Sequence, residues 1–219
     1  MDKLRLMFSK TGRAVYISHL DLMRTMQRAF LRAGYPLKYS EGFNPHAQIS
    51  ILLPLSVGCS SVCELMDFTL REDVPAGEIP ARLTAVMPEG IEVTQAYPPE
   101  RKAKELKWLK ISGRFEYDSR PLSEMPGPLG EFFSRESLVI TKKTKRGEGQ
   151  SDIRPAIREI TFSDGEDCVS LNAVISAQEP TLNPDLLVSA LRQLNPGLAP
   201  DFAEFRREEV FDENMNIFR

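Results

Sequence analysis

The chain holds only two histidines in 219 residues, and both lie in short polar motifs near its start. His19 sits in Tyr16-Ile17-Ser18-His19-Leu20-Asp21, and His46 in Gly42-Phe43-Asn44-Pro45-His46-Ala47-Gln48. Imidazole changes charge near neutral pH, so such a pair can exchange protons, ligate a metal or donate to an anion. As base and acid, two imidazoles suffice to cut RNA through its 2′-hydroxyl without a metal. A zinc site needs three or four ligands, and Glu64 and Asp67 are the carboxylates that would have to join His19 and His46. No compact ligand spacing supports that, so no metal is expected. The third possibility is recognition. A helix start offers free N–H groups to an anion, and an adjacent imidazole adds a hydrogen bond to phosphate. Binding is the leading expectation, with the metal-independent endonuclease as the alternative.

Other residues point the same way. Arg24, Arg28 and Arg32 recur every fourth position, which on a helix makes one ridge with steps of roughly 6 Å, a spacing suited to phosphate contacts. The segment 142–154, with Lys142, Lys143, Lys145 and Arg146 ahead of Gly147 and Gly149, is expected to be a mobile basic loop able to follow a nucleic-acid backbone. Asp152 and Arg154 would anchor it where the chain turns apolar again. Against these stands the plainer possibility that the charges are solvated surface. Cys59 and Cys63 have three residues between them, but the next cysteine is Cys168, so they are expected to be small residues of a turn before a strand. The chain has no CxxxCxxC triad for an iron–sulfur cluster and no P-loop, dinucleotide fingerprint or Gly-x-Ser-x-Gly elbow. No cofactor is expected in this chain.

These residues need elements to hold them. Ser18 followed by Asp21 matches a helix-start box in which the two side chains satisfy orphan amides, and an acid there suits the helix dipole. Leu22, Met26, Ala29, Phe30 and Ala33 keep helical spacing up to a terminal Gly34. Around this helix the patterning predicts strands at 3–9, 48–53, 64–71 and 90–97, an extended piece at 36–39, and a second helix at 75–86. Gly42, Asn44 and Pro45 are turn chemistry, with the asparagine capping backbone. After Pro98-Pro99, strands at 106–117, 138–141, 157–163, 168–175 and 204–211 and helices at 129–134 and from Asn183 repeat the order. The expected fold is α+β: two tandem ferredoxin-like (βαββαβ) units, with antiparallel sheets and helices on one face. Residues 1–98 would carry the histidine motifs, and 104–219 would form a divergent second unit with the basic loop.

Composition is that of an ordinary globular protein, 42% apolar and 27% charged. No apolar run approaches the roughly 20 residues of a membrane helix, the first residues lack a signal-peptide core, and three cysteines are too few for a disulfide framework. A cytoplasmic location and no membrane partner are expected. The net charge of −3 conceals alternation: residues 1–50 carry +5, 51–100 carry −6, 101–163 carry +5, and 164–219 carry −7. Two basic segments inside an acidic whole differ from the uniform charge of a general nucleic-acid binder.

The segment Ser18 to Arg24 (SHLDLMR), the segment Gly42 to Gly58 (GFNPHAQISILLPLSVG), and Glu64 and Asp67 together resemble a bacterial family known as radical SAM-linked or radical SAM-associated proteins, a domain of unknown function. The basic segment followed by Ser151 to Ile157 (SDIRPAI) is similar to that family's second half. The resemblance implies an accessory subunit whose partner is a radical SAM protein with its own iron–sulfur cluster; RNA or a ribosomal substrate, expected from the basic ridge and the basic segment, is the further partner. It supplies no catalytic residue, so Ser18, His19, Asp21, Gly42, Asn44, His46 and Glu64 are motif positions only. A weaker architectural likeness is to repeat-associated CRISPR endoribonucleases, although the C-terminal segment Phe205 to Arg219 has none of their glycine-rich signature. A protein-interaction scaffold for the radical SAM partner is the remaining alternative.

Overall fold

The computed structural model describes residues 3–144 and 147–219. Lys145 and Arg146 lie outside the described residues. The chain separates into two compact units, the first ending at Ala103 and the second running from Lys104 to Phe218.

In the first unit β1 (Leu4–Lys10) leads into α1 (His19–Arg32), followed by β2 (Ile49–Ile51), β3 (Ser60–Phe68), α2 (Ile79–Thr84) and β4 (Ile91–Tyr97). The strands stand in the order β4-β1-β3-β2, every neighbour antiparallel. Alternation along β1 buries Leu6 and Phe8 under the helices, and their cross-strand partners Met66 and Glu64 share that side. Leu22, Met26, Ala29 and Phe30 of α1 and Ile79 and Leu83 of α2 join one core with Leu6, Phe8, Met66 and Phe68, centred on a Phe30–Phe68 pair with ring centroids 4.9 Å apart. Both helices therefore cover one face of the sheet.

α1 ends as its spacing predicts, at Gly34 with φ +75°. The expected helix at 75–86 is shorter: a 3-10 turn at Ala76–Glu78 precedes Ile79–Thr84. Pro80 lies in the first turn, where its missing N–H has no intrahelical acceptor to lose. β3 starts earlier than expected, so Cys63 is a strand residue rather than part of a turn, whereas Cys59 closes the turn before the strand with its N–H on the Ser56 carbonyl at 3.2 Å; both are buried. Gly90 closes the other end. A Cβ there would lie 2.3 Å from the Thr11 carbonyl oxygen and 3.0 Å from Ala14, and its φ is +87°, while its own carbonyl accepts from the Thr11 N–H at 2.8 Å. Only glycine fits that approach.

The second unit contains β5 (Trp108–Glu116), α3 (Pro126–Phe133), β6 (Val139–Thr144), β7 (Gly147–Asp152), β8 (Ile157–Asp164), β9 (Val169–Ser176), α4 (Asp185–Leu194) and β10 (Phe202–Phe211). Its sheet has the order β10-β5-β9-β8, again antiparallel throughout. Phe133 of α3 stacks on Phe162 of β8, centroids 5.6 Å apart, and Phe115 of β5 lies 6.0 Å from the same ring. Removing β6 and β7 leaves the element order and strand order of the first unit. Those two strands correct an expectation: the basic segment is a β-hairpin, paired from Val139↔Asp152 to Thr144↔Gly147. Its polar, glycine-rich second strand has no alternation to announce it. No helix among the described residues is long and apolar enough to cross a membrane.

Candidate nucleic-acid interface

At the start of α1 the Ser18 hydroxyl oxygen accepts from the Asp21 N–H at 3.2 Å and its O–H donates to the Asp21 carboxylate at 2.8 Å. The carboxylate reaches the hydroxyl of Ser18 rather than its amide, so only the serine half of the expected box satisfies a backbone donor. Asp21 also accepts from Arg24 at 3.0 Å. The Ser18 hydrogen bond, then the Arg24 one, holds the Asp21 carboxyl below its ordinary value. His19 is half-buried at the first helical position, and its imidazole makes no hydrogen bond among the described residues.

The arginine ridge has three different fates. Arg24 is exposed and tied to Asp21. Arg32 donates to the Val86 carbonyl at 2.7 Å, which makes it a brace between the end of α1 and the end of α2. Arg28 is exposed and makes no hydrogen bond or ion pair among the described residues. Leu20 and Leu31 are 66% and 77% exposed on the same helix, so its solvent side carries apolar as well as cationic groups.

The bend at Gly42–His46 is wholly exposed, with Phe43 projecting completely into solvent. Gly42 has φ +121°. Asn44 was expected to cap this turn, but Ser40 does so: its hydroxyl accepts from the His46 N–H at 2.9 Å and its amide donates to the His46 carbonyl at 2.8 Å. A Tyr39↔Ala47 bridge and a Gln48 N–H to Lys38 carbonyl bond close the base of the bend. That base stands against the second half of α1, where Tyr39 lines a groove with Gln27, Arg28 and Leu31. Arg28 is nine residues from His19, about 14 Å along the helix axis. The backbone near His19 is held elsewhere, by the Gly58 N–H on the Val15 carbonyl at 3.0 Å. The two histidine junctions therefore have separate anchors, and among the described residues no hydrogen bond joins them.

The groove itself encloses about 360 Å³. Besides Gln27, Arg28 and Leu31 it is lined by Tyr35, Tyr39 and Arg71. The Arg71 guanidinium lies 5.9 Å from the Tyr39 ring centre. Tyr35 is 2% exposed and its hydroxyl has no hydrogen-bond partner among the described residues, while Arg82, fixed on the Ala33 carbonyl at 2.7 Å, covers its ring at 4.5 Å. Tyr35, Tyr39 and Arg71 belong to no motif in the sequence. The available signal was Lys38-Tyr39, a cation beside an aromatic in an extended segment; its partner Arg71, 32 residues on, gives none.

The two carboxylates of the motif part company. Glu64 and Asp67 are three apart on β3, so they project to opposite faces, and they cannot serve one metal with the histidines. Among the described residues no cluster of potential ligands is suited to a metal ion. Asp67 is locked to its cross-strand neighbour Arg5, with Nε to Oδ1 at 2.7 Å and a second bond at 3.2 Å; Arg5 also donates to the Arg101 carbonyl at 3.1 Å. Glu64, fully buried beneath the helices, faces Lys10, which is 1% exposed and donates to the Val15 carbonyl at 3.0 Å. Burial lowers the Lys10 pKa, and the Glu64 charge opposes that.

In the second unit Lys142 is half-buried on β6, and the backbone of position 143 stands opposite that of Glu148 in the hairpin ladder. The hairpin is pinned at its base, where Asp152 accepts from the Leu138 and Arg154 amides at 2.8 and 3.0 Å. Those two bonds lower the Asp152 pKa. Gln193 of α4 brackets Thr141 with two backbone bonds, at 2.8 and 3.2 Å.

A two-unit α+β protein with an arginine- and tyrosine-lined groove on its first helix is the class this geometry defines. The family model for "Uncharacterized protein conserved in bacteria (DUF2344)" matches residues 3–184, and the chain belongs to that family. No curated protein sequence matches it. Among solved structures it is similar to a chain of "Crystal Structure of a Cbf5-Nop10-Gar1 Complex", at 11% identity and TM-score 0.52, over 96% of this chain and 50% of that one. The chain thus spans about half the length of that relative, and the likeness concerns the fold. A protein from Galdieria sulphuraria described as unknown aligns at 8% identity over 94% of this chain and 98% of that one, with a TM-score of 0.26.

Proposed function

We propose that this protein is a non-catalytic RNA-binding subunit that presents RNA or a ribonucleoprotein to a radical SAM enzyme carrying its own iron–sulfur cluster. The observation that carries the reading is the flank of α1, where exposed Arg28 and Arg71 border one groove with Tyr39. Cations beside aromatics are the combination by which proteins hold a phosphate backbone and its bases. Arg24, Lys38 and the exposed His46 bend extend that surface, and His19 supplies a further donor at the helix start. Lys142, Lys143, Lys145 and Arg146 offer phosphate contacts from the second unit.

The strand orders β4-β1-β3-β2 and β10-β5-β9-β8 support two ferredoxin-like units, divided near residues 98–104, with the hairpin as an insertion in the second. The partner rests on the resemblance of SHLDLMR and GFNPHAQ to radical SAM-linked proteins, and a cytoplasmic site of action goes with it.

Isolation of the tagged protein from cells, with and without nuclease treatment, tests this. The expected result is a radical SAM polypeptide in both preparations and RNA in the untreated one. A preparation that holds the polypeptide but never RNA would leave a protein scaffold in its place.

A further inference from the structure

We propose that the groove on the α1 flank is a nucleotide-binding pocket, holding one nucleotide of a single-stranded RNA with its base on Tyr39 and a phosphate on Arg28. This rests on the RNA-binding reading above and names the part of the strand that the first unit grips.

Four features converge on that ligand. The volume of about 360 Å³ suits a single nucleotide and falls in the range of small-ligand sites. Tyr39 is 42% exposed, so its ring is accessible to a stacked base, and Arg71 at 5.9 Å from the ring centre adds a cation beside it. Among the described residues no carboxylate lines the groove, so the Arg28 and Arg71 charges border it with no acid inside it, Asp21 acting on Arg28 from outside. An anion would complete them, and a charge-assisted bond from arginine to phosphate is frequently bidentate.

The fourth feature is Tyr35. A buried hydroxyl without a partner is costly, and this one belongs to a residue 2% exposed that lines the same groove. The hydroxyl itself is out of reach of the groove's contents, so Tyr35 serves a bound nucleotide as a rigid wall. Gln27 offers an amide with both a donor and an acceptor for a base edge. An apolar peptide would use Leu31 and leave both guanidiniums idle.

The test combines binding and crosslinking on the full chain. A fluorescein-labelled single-stranded RNA of mixed sequence is titrated by anisotropy with wild type, Tyr39→Ala, Tyr39→Phe and Arg71→Ala. A 4-thiouridine version is then crosslinked and the attached peptides mapped. Tyr39 and Arg71 are exposed, so unchanged thermal midpoints are expected for these variants. Tyr39→Ala is expected to weaken binding roughly tenfold, in line with loss of one stacked base. Tyr39→Phe should bind as wild type, and crosslinks should fall within residues 27–39 or on 71. Undiminished affinity of Tyr39→Ala with crosslinks elsewhere overturns the pocket while the RNA-binding reading stands. Absence of RNA binding overturns both. Tyr39-dependent binding of adenosine monophosphate without any binding of the RNA would overturn the RNA strand as the ligand in favour of a free nucleotide.

Discussion

The side chains that the motifs bring to attention divide into those that build and those that remain available. Ser18, Asp67 and Arg32 are committed to a cap, a buried ion pair and a carbonyl brace, whereas Arg28 and His46 are exposed. Replacing Ser18 with alanine should cost about 1 kcal/mol, the usual worth of a serine cap, measured by chemical denaturation. Because the Asp21 pKa is lowered chiefly by Ser18, its contribution is fully present above the ordinary carboxylate value of 3.8. It disappears as pH falls through the lowered folded value, so the Ser18→Ala deficit should shrink in acid. Lys10 has the opposite kind of consequence. A Lys10→Met change removes a cation that acts on the buried Glu64 carboxylate and should destabilise the fold in chemical denaturation, with part recovered when Glu64→Gln is added. The folded-state Lys10 pKa is lowered by burial. Wild-type stability should therefore gain from this site as pH climbs from that value towards 10.5, a gain absent in Lys10→Met. Parity along β3 was legible from the start: a spacing of three already sends Glu64 and Asp67 to different faces. Which loop meets which helix turn was not, because Tyr39 and Arg71 are joined only by a tertiary pairing of 36–38 with 69–71.

Among the elements, periodicity identified α1 and α4 and most of the sheet strands, since each presents one apolar face to a core. It failed where burial does not govern conformation. The hairpin β6–β7 is held by its own ladder, by Asp152 and by Gln193, none of which leaves an apolar pattern. The bend at 42–46 was recognised from its glycine and proline, but its cap was assigned to Asn44 because Ser40 precedes the turn. Gly90 offers a sharp test at this scale. Gly90→Ala must resolve a 2.3 Å approach to the Thr11 backbone at positive φ, so it should lower the thermal midpoint far more than Gly127→Ala, whose Cβ meets nothing within 4 Å. Equal midpoints for the two would show that the 11–14 turn shifts freely away from Gly90.

The whole chain carries a net charge of −3, so bulk attraction cannot be what draws an RNA to it. Any affinity must come from the positive segments, and the first fifty residues, with +5, hold α1. The repeated element order was visible in the sequence because each half spells the same succession of helix and strand patterns, although the halves share negligible sequence. The family match over residues 3–184 is one of sequence, the likeness to a chain of the Cbf5-Nop10-Gar1 complex at 11% identity is one of fold, and neither carries an activity with it.

RNA recognition by the first unit depends most on Arg28 meeting phosphate. Anisotropy of a labelled single-stranded RNA with wild type and Arg28→Glu, repeated from about 50 to 200 mM salt, tests it most directly. Wild-type affinity should fall linearly on logarithmic axes, and Arg28→Glu should bind more weakly at every salt concentration with a shallower slope, reduced by about one unit. Identical slopes and affinities for the two proteins, or wild-type binding indifferent to salt, would contradict it.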